Sequence, residues 1–388
     1  MKQLPTLGPA EADDESIPTN WQGRARLPRV TRVFLGSYPT PVFSVPQLSS
    51  SDAELWIKDD SVTHPRYGGN KVRKLEGIFE VARKRHARRI LTAGAAGSHH
   101  VLATTVLGKQ LGFEVAAVLC PQPHSEHAED TLRASLSQGL EAVPVSSMAR
   151  VPLGILRARR KGDIVVPVGG SNVEGTLGYM GAVEELLGQI RTGELPEPDI
   201  IVAALGSGGT VGGLVAGVAR EGLASKVLGV QVATPSQAGY PLALSLAWLA
   251  TRRLAGEASV GALRRILRVD TSELGDGYGW PTSGGLRAMT SASRAGVCLE
   301  PTYTAKAFAK ALKLVGHLPE GDGRPGSRET QGLARRPLRV LYWHTLSAVP
   351  SHSLMTPSQI LPPELRRLFM SAPSPSSYDL PPSDAQAQ

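Results

Sequence analysis

The chain is punctuated by short apolar runs, each followed by a stretch with helical spacing. "RILTAG" (89–94), "EVAAVLC" (114–120), "EAVPVS" (141–146) and "DIVVPVGG" (163–170) come first. "DIIVAALGSGGT" (199–210), "KVLGVQVA" (226–233) and "RVLYWHT" (339–345) follow. These runs are continuous in apolar character, the pattern of strands covered on both faces. Between them, "SEHAEDTLRASLSQG", "GTLGYMGAVEELLGQI" and "VGGLVAGVARE" read as helices. The order predicts an α/β protein with parallel-rich open sheets. In the helix after "GGNK", Leu75, Ile78, Phe79 and Ala82 form one apolar face. Glu76, Glu80, Arg83 and Lys84 fall largely off it. Residues 321–337 carry no apolar periodicity and read as an exposed loop. Residues 1–30 read as a flexible extension and 371–388 as a flexible Ser/Pro/Asp-rich tail. "GYPLALSLAWLATRRLAG" is shorter than a membrane span.

Composition narrows the class. At 388 residues and 41% hydrophobic, the chain is long enough for more than one lobe. Its formal charge of +8 raises the question of nucleic acid. The basic clusters "ARKRHARR", "RARRK" and "LRRILR" are interrupted by apolar helix positions or precede a strand. No zinc-finger spacing or RNA-binding sheet motif accompanies them, so they read as solvated surface, with no nucleic-acid partner. Two cysteines, Cys120 and Cys298, make no disulfide framework and fit a reducing compartment. Cys298, in "AGVCLE", is expected to be a buried small hydrophobe. No signal peptide is visible, and a soluble cytoplasmic protein without membrane contact is the expectation.

The candidate chemistry sits in turns that enter helices. "GSGGTVGG" (206–213) follows a strand and opens a helix, as an anion-cradling turn does and as an ordinary tight turn also does. It is not a phosphate loop of the G-x-x-x-x-G-K-[ST] type. In "RYGGNKVRKLE" (66–76), Gly68-Gly69-Asn70 place Lys71 at a turn into a helix, with Lys74 one turn on. A desolvated lysine beside another cation loses its proton more easily and becomes a nucleophile. Two solvent-facing lysines would read the same way. "AGSHH" lacks the G-x-S-x-G form, and serine and histidine adjacent in sequence rarely supply a triad. His99 and His100 point about 100° apart on a helix, so they do not share an ion easily. His124 and His127, with Glu126 and Asp130 nearby, lack a strong zinc spacing. No metal is expected.

Taken in order, "GGNKVRKLE", "GSHHV", "GSGGTVGG", "DGYGWPTSGG", "EPTYTAKA" and "LYWHT" resemble the fold-type-II pyridoxal-phosphate enzymes. The chain is most similar to the family of 1-aminocyclopropane-1-carboxylate deaminase and D-cysteine desulfhydrase. The resemblance covers roughly residues 30–350. It implies a two-lobed, tryptophan-synthase-β-like α/β protein that is commonly a homodimer and acts on a small amino acid. A small domain (75–180) would be inserted into a large cofactor-binding domain (31–74 and 181–370). Lys71 would be the Schiff-base lysine and move the proton at the substrate Cα. Gly206, Ser207, Gly208, Gly209 and Thr210, with Lys74, would hold the cofactor phosphate. Ser98 and neighbouring N–H groups would bind the substrate carboxylate, with His99 and His100 beside it. Tyr278 and Tyr303 would face the substrate, and Thr345 the pyridine nitrogen.

Two positions bear on the reaction. Deaminases carry Glu after the second tyrosine and Leu after the late-strand histidine. Here Thr304 and Thr345 stand there, the desulfhydrase pattern, so the resemblance favours β-elimination over ring opening. Other positions depart from the family. His99 replaces an Asn that helps hold the cofactor ring hydroxyl. Leu346-Ser347 replace Gly-Gly after Thr345, and Leu346 is expected to crowd backbone that approaches the cofactor. Thr282-Ser283 replace the deaminases' Asn-Glu.

Overall fold

The computed structural model describes residues 32–233, 235–254, 259–319, 336–356 and 359–370. The 1–30 extension, the 371–388 tail and most of the 321–337 loop lie outside the described residues.

The first half of the fold runs β1 (Val42–Ser44), β2 (Ala53–Asp59), α1 (Lys71–Lys84), β3 (Arg89–Ala95), α2 (His99–Gln110) and β4 (Glu114–Cys120). It continues with β5 (Gln122–Pro123), α3 (Glu126–Ser137), β6 (Glu141–Pro144), α4 (Val151–Ala158), β7 (Ile164–Val165) and α5 (Val173–Arg191). Next come β8 (Ile200–Leu205), α6 (Gly209–Glu221), β9 (Lys226–Gln231), α7 (Ser236–Arg253), α8 (Val260–Ile266) and β10 (Leu267–Asp270). The last elements are α9 (Ser283–Arg294), α10 (Thr304–Leu314), β11 (Leu338–His344), α11 (Pro363–Arg366) and β12 (Phe369–Met370).

The strands form two principal sheets. The larger has order β1-β2-β11-β8-β9-β10, parallel except for β1. The smaller, β6-β4-β3-β7, is wholly parallel. β5 and β12 pair separately. The continuous apolar runs explain this: β3 is buried at every position, as strands sandwiched by helices are. One core cluster packs α1 and α2 on the smaller sheet, and two more cover the faces of the larger. Among the described residues, no helix is long and apolar enough to cross a membrane.

Two expectations need correction. The apolar face of α1 is buried, but so are Glu76 and Glu80. Glu76 accepts the backbone N–H groups of Leu35 and Gly36 at 3.0 and 2.9 Å, because the chain entering the fold crosses that face. Cys298 is exposed, whereas Cys120 is buried. Val297 and Leu299 turn inward on either side of it, and alternation of an extended segment puts Cys298 outside.

Candidate active site

The turn ahead of α1 is built on glycine. Gly69 has φ +87°, and a Cβ there would stand 2.6 Å from the Thr345 carbonyl oxygen. The chain after β11 therefore packs directly on the turn, and Asn70 N–H donates to that carbonyl at 3.1 Å. Ser347 Oγ accepts the Gly68 N–H at 2.9 Å. The Leu346-Ser347 departure thus seats against the Gly68-Gly69 turn. Thr345 takes part through its backbone.

Lys71 is the first residue of α1. Its Nζ donates to Asn70 Oδ1 at 2.8 Å, and Asn70 Nδ2 donates to Thr210 Oγ1 at 3.1 Å. Desolvation lowers its pKa to about 8, against an opposing pull from Glu300. One turn on, Lys74 Nζ donates to the Gly169 carbonyl and to Ser171 Oγ, the latter at 2.9 Å. Burial, and then the neighbouring Lys71, push its pKa well below the usual lysine range.

Lys74 reaches the glycine loop between β8 and α6. Ser171 Oγ sits 2.7 Å from Ser207 Oγ and accepts the Gly209 N–H at 3.1 Å. Gly208, at φ +85°, turns the chain into α6. A Cβ on Gly209 would lie 2.8 Å from Lys74 Nζ, so glycine admits the lysine. N–H groups in the first turn of a helix have no intrahelical acceptor. This corner therefore concentrates the Lys74 amine, which a bound anion would favour in its charged form, with two hydroxyls and the first-turn N–H groups of α6, an anion receiver. Gly206 lies under Tyr303, whose ring would be 3.3 Å from an added Cβ. Tyr303 OH donates to Tyr278 OH at 2.9 Å, and the rings meet edge to face. Burial raises both phenol pKa values, so both are neutral.

From the smaller sheet, the turn after β3 brings Ser98, His99 and His100. Ser98 is the N-cap of α2, its hydroxyl oxygen accepting the Val101 N–H at 3.4 Å. His99 Nδ1 is 2.6 Å from Tyr67 OH, and its Nε2 is 2.9 Å from His127 Nε2. Burial, His127 and Lys71 hold His99 well below the usual histidine pKa. His100 turns inward, its Nε2 2.9 Å from Thr92 Oγ1. His124 pairs with Glu129 at 3.0 Å and does not join His127. Glu300 Oε1 accepts the N–H groups of Tyr303 and Thr304, and Oε2 that of Thr302. Ligand atoms of His99, His127 and Glu300 all lie within 4.8 Å of one another.

A family model described as "Pyridoxal-phosphate dependent enzyme" matches residues 33–323. The chain belongs to that family. It is 32% identical to D-cysteine desulfhydrase of Salmonella paratyphi A over 312 residues, 77% of this chain and 93% of that protein. A solved structure described as an ACC deaminase homologue aligns with TM-score 0.68 and 26% identity, covering 84% of this chain and 97% of that one. A hydrogen sulfide-producing enzyme from Fusobacterium nucleatum shares the fold at TM-score 0.54 and 16% identity, covering 81% of this chain and 94% of that one. The protein is a fold-type-II pyridoxal-phosphate enzyme of the lyase and deaminase class, related to the deaminase and desulfhydrase family, and acts on a small amino acid.

The residues present fit that cofactor. An amine with lowered pKa stands within one helical turn of an anion receiver, and glycine at 209 leaves no side chain between Lys74 and the loop. Sequence reasoning missed several of the residues involved. Asn70 links Lys71 to Thr210, Ser171 links Lys74 to the loop, and Tyr67, His127 and Glu300 surround His99. "VGGSN" (168–172), a second glycine turn before a helix, was the available signal for Ser171. The other contacts join distant segments and leave no local pattern.

Proposed function

We propose that the enzyme eliminates a β-substituent from a small amino acid, with D-cysteine as the favoured substrate. D-cysteine and water would give pyruvate, ammonia and hydrogen sulfide. The observation that carries this reading is Thr304. It follows Tyr303 where deaminases carry Glu, and its hydroxyl is tied to Glu300, donating to the carboxylate at 3.1 Å. No side-chain acid follows the second tyrosine. A weaker electron sink suffices when a stable thiolate leaves Cβ. The similarity to a D-cysteine desulfhydrase supports the same choice.

Pyridoxal phosphate, when bound, supplies the electron sink for the bond broken at Cα. Lys74, Ser207, Ser171 and the N–H groups of 208–210 would hold its phosphate, and Lys71 would attach it. His99 would hold the ring hydroxyl, and Thr345 would face the ring nitrogen. Ser98 and the first N–H groups of α2 receive the substrate carboxylate. Lys71, as neutral amine, takes the Cα proton. Tyr303 donates to Tyr278, which leaves the Tyr278 proton free for the departing sulfur.

Holoenzyme is incubated with D-cysteine, L-cysteine, D-serine or 1-aminocyclopropane-1-carboxylate, and keto acid and sulfide are measured. Pyruvate with sulfide from D-cysteine is expected, and no sulfide from D-cysteine sinks the reading. A second reading, ring opening to 2-oxobutanoate and ammonia, is favoured by the likeness to the ACC deaminase homologue. It predicts 2-oxobutanoate from the cyclopropane substrate. Retained cofactor absorbance without turnover of any of the four would mark a cofactor-binding homologue. A homodimer is proposed as the working state, and sedimentation tests it.

A further inference from the structure

The contact between His99 and His127 has no part in the chemistry above. Their Nε2 atoms stand 2.9 Å apart, so a single proton is shared between two ring nitrogens. The rings are tilted by 44° with centroids 4.9 Å apart, which aims the nitrogens at common ground and does not stack the rings. A buried carboxylate, Glu300, completes a group whose ligand atoms all lie within 4.8 Å. Two imidazoles and one carboxylate are a donor set that binds zinc with a fourth position open.

The surroundings match what metal ligands require. Tyr67 OH lies 2.6 Å from His99 Nδ1, the outer-nitrogen partner that fixes a ligating ring. Backbone N–H groups of Thr302, Tyr303 and Thr304 orient Glu300; Oε1 also accepts the Thr304 hydroxyl, while Oε2 accepts the Thr302 N–H and keeps lone-pair capacity for an ion. The three ligands come from the start of α2, the start of α3 and the turn before α10, elements fixed by packing in different parts of the fold. His99 and His127 are partly exposed, which gives an ion a way in. Neutral imidazole is the ligating form. In a tetrahedral site with zinc–nitrogen bonds of about 2.0–2.1 Å, ligand atoms are about 3.3 Å apart. The two nitrogens therefore open by a few tenths of an ångström while the carboxylate closes in.

We propose that His99, His127 and Glu300 form a site for a divalent transition ion such as Zn2+ beside Lys71, and that its occupancy inhibits the enzyme. On binding, the proton between the two Nε2 atoms moves to His127 Nδ1, so that both rings meet the ion through Nε2 as neutral imidazoles. His99 keeps its proton on Nδ1, donated to Tyr67, and remains neutral. Hard cations such as Mg2+ are not accepted, because imidazole suits zinc, copper and nickel. The site is independent of which amino acid is the substrate.

The test uses substrate-free holoenzyme dialysed first against chelator and then against Zn2+ or Co2+. Bound metal per chain is counted, and Co2+ is followed by its visible d–d absorbance. One ion per chain is expected, with none retained from Mg2+. His127→Gln abolishes binding while the cofactor absorbance stays, and Tyr67→Phe weakens binding roughly 10- to 100-fold. His99→Asn serves as the second ligand variant and loses the ion as well. Zn2+ inhibition of turnover is reversed by chelator and absent in His127→Gln. Wild-type enzyme that retains no Zn2+, or a folded His127→Gln that retains it as the wild type does, overturns the proposal. Cofactor absorbance and metal count are separate readouts, so failure of the metal site leaves the assigned reaction untouched.

Discussion

Lys71 and Lys74 divide two tasks between adjacent turns of one helix. Burial lowers the Lys71 pKa to about 8, with Glu300 offsetting part of that effect. A protonated amine has no lone pair, so attachment of the cofactor requires the neutral form. Raising the pH through about 8 releases the proton. The rate of reconstitution of cofactor-free enzyme is expected to rise toward that pH and level off above it, as stopped-flow absorbance would record. Lys71→Ala removes the lysine-bound absorbance band altogether. Lys74 donates to Ser171 and Gly169 and stands at the glycine loop. Hydrogen bonds to a charged group contribute about 1.5–3 kcal/mol. Lys74→Met is therefore expected to weaken cofactor binding about ten- to hundredfold, measured by equilibrium dialysis. The lysine pair was legible because "GGNKVRK" places both at a glycine turn. Their burial, and the serine that joins one of them to the loop, were not, since Ser171 is nearly a hundred residues away in sequence.

At the level of elements, the apolar face of α1 was legible from its period, and its charged face was not. Arg73, between the two lysines, is buried, and its guanidinium meets Asp60 at 2.8 and 3.0 Å. It also meets Glu185 at 2.9 Å. Asp60 Oδ2 further accepts Tyr179 OH at 2.6 Å and Trp343 Nε1 at 2.9 Å. These contacts hold Asp60 below the usual carboxylate range despite its burial. The network ties α1 to β11 and α5, and so fixes the helix that carries Lys71 and Lys74. The period of α1 gives no sign of the Arg73 network, because its partners Asp60 and Glu185 come from distant segments. Arg73→Ala would leave Asp60 buried and uncompensated, at a cost of about 3–5 kcal/mol. Chemical denaturation is expected to show that loss, together with weaker cofactor retention, since the seat of α1 is disturbed. Asp60→Asn keeps the shape and removes the charge, so it separates the electrostatic part from the packing part.

At the level of the whole molecule, two parallel sheets end at one place. The turn after β8 provides Gly206 to Thr210, and the turn after β3 provides Ser98 and His99. Ligands in open parallel sheets gather at such carboxyl ends. The apolar runs made both sheets legible, but which strand ends meet depends on order, and β11 lying between β2 and β8 was not readable from pattern. We propose the two sheets as the cores of two lobes, residues 75–180 forming the smaller, with the cofactor touching both. In that arrangement Lys74 and the glycine loop belong to one side and His99 to the other, so a bound cofactor restrains their relative motion. Adding pyridoxal phosphate to stripped enzyme at a hundred times its dissociation constant is expected to stabilise it by about 2.7 kcal/mol. Hydrogen exchange then distinguishes a bridging cofactor from one held by a single lobe. Bridging slows exchange in both the 206–212 and the 98–104 backbone. Protection confined to 206–212 would place the cofactor on the larger sheet alone and remove the role assigned to His99.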